Sequence, residues 1–223
     1  VRGSEPARYL VLLIALAACA KKSKHASHDL DHDLIRVTGE ARLRTDVVGG
    51  GQFTDTATFV LVEAENTAKD GAYVTLGGDL TDEAGAIVSV LRAQSLYIPA
   101  GELRTFALVD KERKQRPEAK GAKIYVRGAR VPPTPPPAHI EAPRQVMDGT
   151  GSSSKVVMQG VLKNDAPRGG NIMVVATFYG EDGKPMTRPF SVLFVPPNGT
   201  LPVQFVGPNG SVKGSLFIGD VSY

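Results

Sequence analysis

One interval organises this chain. Asn66 and Asn164 lie 98 positions apart, and the same interval relates Gly71 to Gly169, Gly85 to Gly183, Pro99 to Pro197, Gly101 to Gly199 and Leu103 to Leu201. Turn residues fix strand length and pairing in β-structure, so a set of turn and strand landmarks in one register reads as two copies of a β-unit. Apolar segments follow the same pattern: 59–64 matches 157–162, and 123–126 matches 215–218 once extra residues near 111–122 in the first copy are allowed for.

The second copy is the easier to read. Between 172 and 179, Ile172, Val174, Ala176 and Phe178 alternate with Met173, Val175, Thr177 and Tyr179, the period of a strand. Asp182-Gly183 is read as a type I′ hairpin turn, with 190–195 as the return strand and Pro196 to Gly199 as its end. If Phe178 points inward, Met173, Val175 and Tyr179 point away from that core, and they are either covered by other parts of the protein or form a partner-binding patch. In the first copy Gly77, Gly78 and Asp79 stand where the second has Val175, Ala176 and Thr177, so that strand is expected to be kinked or at a sheet edge. Twenty-four Gly, sixteen Pro and few long helical periodicities complete an all-β reading: two tandem immunoglobulin-like β-sandwiches after an N-terminal signal and a flexible tether.

The run Gln159 to Asn164, then Val174 to Tyr179 with Glu181-Asp182-Gly183-Lys184, then Pro197 to Phe205, resembles an FxLYD-type domain. That resemblance covers 155–220 and implies a small immunoglobulin-like sandwich of the kind found in bacterial envelope proteins and lipoproteins, with no catalytic residues to carry over. Asn198 interrupts the family's Pro-Gly pair, which predicts a turn one residue longer. The first copy is tied to the family mainly through the internal repeat. Between the copies, Pro132-Pro133-Thr134-Pro135-Pro136-Pro137 favours polyproline II and is read as a semi-rigid spacer of roughly 20 Å that holds two domains apart.

Near the N-terminus, Arg2 and Arg8 precede an apolar stretch at 9–18 that is too short to cross a bilayer, which needs about 20 residues. It ends in Leu16-Ala17-Ala18-Cys19, which holds the only cysteine. This resembles the lipobox of bacterial lipoproteins, in which the cysteine sulfur is acylated and the chain is cut before it. The competing readings of Cys19 are an ordinary secretory signal and a small buried hydrophobe. Ala20 stands where an inner-membrane retention signal would have Asp, so the resemblance implies anchoring to the outer membrane of the cell envelope. The expected organisation is a signal at 1–18, lipidated Cys19 with a polar tether at 19–38, a first sandwich at 39–130, the linker at 131–138 and a second sandwich at 139–223.

Candidate chemistry is sparse. His25, His28 and His32, interleaved with Asp29, Asp31 and Asp33, carry metal-ligand residue types, and weak transition-metal binding is the alternative to a solvated tether. His139 reads as a surface residue. Ser152, Ser153 and Ser154 lie in a Gly/Ser-rich turn without a nucleophile elbow. Eight basic residues between Lys111 and Arg130 read as a solvated loop, with contact to anionic headgroups or an acidic partner as the alternative. A net charge of +3, no Trp and 6% aromatics leave little for nucleic-acid binding or sugar stacking. The expected function is therefore binding or scaffolding without catalysis. The expected partners are the membrane, through lipid on Cys19, and an envelope protein, with no cofactor and no small-molecule substrate. The structural landmarks expected at turns are Asn66, Gly85, Asn164, Asp182, Gly183 and Gly199.

Overall fold

The computed structural model describes residues 26–49 and 54–223. Leu16, Ala17, Ala18, Cys19 and His25 lie outside the described residues. The protein is all-β, as its alternation predicts. In the first half, β1 (His28–Asp29), β2 (Ile35–Val48), β3 (Asp55–Asn66), β4 (Ala72–Thr81), β5 (Ile87–Ile98), β6 (Leu103–Val109) and β7 (Gly121–Val131) make two antiparallel sheets, ordered β2-β3-β6 and β1-β7-β4-β5. The second half contains β8 (Ala138–Asp148), β9 (Lys155–Asn164), β10 (Gly170–Tyr179), β11 (Pro185–Thr187), β12 (Phe190–Val195), β13 (Thr200–Val206) and β14 (Lys213–Ser222). Its sheets are β8-β9-β13, and a second one in which β10 pairs β14 on one side and β11 and β12 on the other. Both halves visit their two sheets in the same order.

Each half closes over an apolar core. Val60, Val62, Phe106 and Leu108 from one sheet meet Val74, Leu76, Leu91 and Leu96 from the other. In the second half, Ile172, Val174, Ala176 and Phe178 face Val156, Met158, Leu162 and Phe205. Phe106 and Phe178 are fully buried, and burying a side chain of that size is worth about 1.5–3 kcal/mol.

The repeat has a chemical basis in its paired asparagines, both fully buried at the ends of β3 and β9. Asn66 donates from Nδ2 to the carbonyls of Asp70 (2.8 Å) and Ile98 (3.0 Å) and accepts from the Ala68 amide (3.1 Å). Asn164 donates to Arg168 (3.0 Å), Val195 (3.2 Å) and Pro196 (3.0 Å) and accepts from the Ala166 amide (3.0 Å). One side chain thus ties three chain segments together, satisfying backbone groups that the turn would otherwise strand.

The hairpins agree as well. Asp82 and Gly180 each donate an amide to the carbonyl four residues on, and Gly85 and Gly183 each donate back across the turn, with φ +81° and +70°. This corrects the type I′ reading of Asp182-Gly183. Asp182 does not have positive φ, and its carboxylate instead accepts from the Lys184 amide at 3.0 Å. The loop has three residues, with only Gly183 left-handed.

Past this hairpin the interval of 98 needs a correction of one residue. Glu65 pairs with Leu103 and Lys163 with Thr200, so the second copy is one residue shorter there. The equivalents are Gly101 (φ +70°) and Asn198 (φ +51°), not Gly101 and Gly199. Asparagine is among the few non-glycine residues that tolerate this conformation, so the turn keeps its length instead of growing. Gly199 closes the turn through its own amide, donated to Pro196 (3.1 Å), and its carbonyl, which accepts from Asn164 (2.9 Å).

Three further expectations change. β4 is bulged, with register shifts beside Leu76 and Gly78, but it is a central strand and not an edge. The polar stretch at 19–38 is not all tether. His28 and Asp29 pair with Val131 and Arg130, Leu30 packs on the first core, and β2 begins at Ile35, which is 5% exposed. Two apolar anchors, Leu30 and Ile35, draw an otherwise polar segment onto the sandwich.

The proline-rich linker does not hold the halves apart. Val175 and Phe217 of the second half are buried in the core cluster of the first, and Met173 packs against it. Arg104 stacks over the Phe217 ring at 4.7 Å. The outward face of β10 and β14 thus covers β5 and β6, and the gain from burying it exceeds any preference of the prolines for separation. A Cβ on Gly219 would lie 2.7 Å from Met173 Cε, 3.0 Å from Val175 Cγ2 and 3.2 Å from Leu96 Cδ2, across this seam. Gly219→Leu is therefore expected to weaken the seam by about 1–3 kcal/mol. Small-angle scattering should then show a larger radius and proteolysis should gain a site in the linker, while the far-ultraviolet circular dichroism stays that of the parent.

Candidate functional site: the cleft between the sandwiches

The outer face of the β2-β3-β6 sheet is unusually apolar for a surface that does not face its own core. Its cross-strand pairs are Phe59 with Val109, Leu61 with Ala107 and Glu63 with Thr105. The second sandwich lies over one end of this face. Arg42 and Arg44 of β2 donate to the carbonyls of Pro185 (3.3 Å) and Met186 (3.0 Å), and Tyr179 donates its hydroxyl to Glu63 (2.9 Å). Burial, and then the charge of Glu63, push the Tyr179 pKa upward against the hydrogen bond with Thr105. The uncovered end forms a cleft of about 590 Å³, within the usual range for ligand pockets. Its floor is Phe59, Leu61, Ala107 and Val109, and its sides are the end of β2 and the middle of β5.

At the back of the cleft stands Arg188. The return strand opposite β10 is broken into β11 and β12 because Pro189 has no amide hydrogen to donate. The break turns Arg188 inward until only 7% of it is exposed. Its Nε donates to the Thr105 carbonyl at 2.6 Å, while its buried Nη2 has no partner among the described residues. Burial lowers its pKa to about 10, and among the described residues no carboxylate opposes that shift. Nearby, Arg113 is engaged by Asp55 at 2.7 Å, and Arg92 is exposed at the side.

A second buried charge has the opposite character. Asp110 is fully buried, yet every direction around it is occupied: Ser89 and Arg116 donate to Oδ2, and the amides of Glu112 and Lys114 donate to Oδ1. Burial alone would raise its pKa, but the hydrogen bonds from Arg116, Ser89 and Lys114 and the charge of Arg116 hold the carboxyl below its ordinary range. The basic stretch after Val109 is therefore not simply a solvated loop. Residues 110–116 wrap around this carboxylate, and Lys120 onward leads into β7.

His28 lies in β1 and His32 in a single 3-10 turn, and among the described residues no three His, Cys, Asp or Glu side chains are placed to hold a metal. His139 contacts Asp165 at 2.9 Å and Glu141 at 3.4 Å on the surface. Ser152 and Ser153 lie in a second 3-10 turn. Sequence reasoning missed Arg188, although an Arg-Pro step inside a return strand was a visible signal of a break with a cation beside it.

No family model matches the chain, and no curated protein matches it. Among solved structures, a β-glucuronidase from glycoside hydrolase family 2 is similar at TM-score 0.31 and 10% identity, covering 74% of this chain and 21% of that one. Red sea bream transglutaminase gives TM-score 0.25 and 14% identity, covering 83% and 30%. The tandem CBM22 domains of Paenibacillus barcinonensis Xyn10C give TM-score 0.13 and 6% identity, covering 88% of each. The chain spans less than a third of the first two proteins, and these scores carry neither a family nor an activity to it.

Proposed function

We propose that this chain is a non-catalytic binding or scaffolding module, extracytoplasmic and held to the outer membrane of the bacterial cell envelope by lipid on Cys19. The observation that carries the reading is the seam. Met173, Val175 and Phe217 lock two sandwiches into one body whose cleft and loops keep a fixed geometry relative to each other. A rigid pair of this kind suits presentation of a surface to a partner. The lipobox supplies the membrane attachment, and the second sandwich is read as an FxLYD-type domain through the residues given above.

Expression of the full chain in a bacterium, followed by fractionation, tests the anchoring. The parent protein is expected in the membrane fraction with a diacylglyceryl group on Cys19 by mass spectrometry, and Cys19→Ala is expected in the soluble extracytoplasmic fraction. A free thiol on the mature parent, or unchanged membrane association of the variant, would overturn the reading.

A further inference from the structure

The cleft and Arg188 point to a ligand independently of how the chain is anchored. A guanidinium is a fork of five donors, and here one is used, on the Thr105 carbonyl, while a second, at Nη2, is buried without a partner. A buried cation without a counter-charge costs several kcal/mol, and proteins remove that cost by pairing the charge. The contrast with Asp110 is instructive, because the same molecule saturates one buried charge completely and leaves the other, on a residue that lines a cavity, with a donor that no described residue meets. The cavity itself is lined by Phe59, Leu61, Ala107 and Val109 on its floor and by Phe190 next to Arg188. Phe190 is 50% exposed, so an apolar ring stands at the edge of this space as well.

We propose that the cleft binds an apolar monocarboxylate, with the carboxylate paired to Arg188 and the hydrocarbon body lying on the outer face of β3 and β6. A carboxylate matches the site better than a phosphate. One buried guanidinium neutralises one negative charge, Arg113 is already held by Asp55, and Arg92 stands exposed at the side of the cleft, where solvent and salt screen its charge. The remainder of the ligand replaces water on Phe59, Ala107 and Val109, which supplies the affinity, while the charge pair supplies orientation. This binding would add a small-molecule ligand to a chain whose composition suggested none.

The test is titration calorimetry of the full chain in detergent with octanoate, octanamide and octyl phosphate. Octanoate is expected to bind with a Kd in the micromolar range, octanamide at least tenfold more weakly and octyl phosphate no better than octanoate. Arg188→Gln should lose at least about tenfold of the octanoate affinity. Because that variant also loses the bond to Thr105, Ala107→Phe serves as a second one. It fills the floor while keeping the Arg188 side chain and its bond to Thr105, and it should abolish binding while leaving the melting curve of the parent. Failure of octanoate to bind below millimolar, equal binding of octanamide, tighter binding of octyl phosphate, or full affinity in Ala107→Phe would each overturn the assignment.

Discussion

Replacing Asn164 by alanine is expected to cost about 3–5 kcal/mol of stability, and Asn66→Ala about 3 kcal/mol, read as a lower urea midpoint at unchanged slope. Each substitution strands buried groups instead of merely removing contacts. Asn164→Ala leaves the Arg168, Val195 and Pro196 carbonyls and the Ala166 amide without their partner, and it frees the Tyr223 hydroxyl, which donates to Oδ1 at 2.9 Å. An unsatisfied buried polar group costs about 1–3 kcal/mol, so two or three of them account for the figure after water reaches the rest. Asn→Asp at either position is the sharper comparison. It keeps the shape and the accepting oxygen but turns the donating nitrogen into an oxygen facing two carbonyls at position 66 and three at position 164, so it should be at least as damaging as alanine. A loss below 1 kcal/mol in both variants would show that the turns hold without the asparagines.

Asp110→Ala is expected to cost about 3 kcal/mol, because it removes the acceptor for Ser89, Arg116 and two amides and so releases the 110–116 segment from the sandwich. The same residue sets part of the pH dependence. Its carboxyl titrates below its ordinary range in the fold, so the unfolded chain takes up the proton first as the pH drops. The contribution is fully present above the unfolded value of about 3.9 and is lost as pH falls through the lower folded value. Asp110→Asn should accordingly be less stable than the parent at pH 7, and the difference should shrink in acid. Equal denaturant midpoints at pH 7, or a difference that grows on acidification, would sink this account.

Much of the architecture was legible because β-structure writes its pattern locally. The alternation in 172–179 put Ile172, Val174, Ala176 and Phe178 on one face, since a two-residue period admits no other sorting, and the structure turns that face into the second core. The repeat was legible through Asn66 and Asn164, whose side chains repeat the same bonds at equivalent turns. The alignment slipped by one residue after the hairpin because glycines and prolines occur on both sides of the true match. The left-handed position passed from Gly101 to Asn198, and spacing alone favoured the nearer-looking Gly199. The N-terminal polar run hid its anchors in the same way: Leu30 stands alone between two aspartates and Ile35 sits beside Leu34 between Asp33 and Arg36, and only their partners reveal them.

The candidate site was far less visible than the fold. Leu61 and Ala107 meet across a strand pair, Arg188 comes from the other sandwich, and the open donor at its tip depends on what is absent around it. The chain alone determined strand content, the duplication and which faces are apolar, since each follows from spacings of a few residues or from one constant interval. Tertiary structure decided what covers the outward face of β10 and β14, where the proline linker lets the halves meet, and that a cation is buried between them without a counter-charge. Those outcomes rest on contacts between residues more than seventy positions apart, such as Arg188 with Thr105 and Phe217 with Arg104. Burial at such contacts is settled by the competition among all exposed apolar surfaces of the folded halves, a quantity that no local pattern encodes.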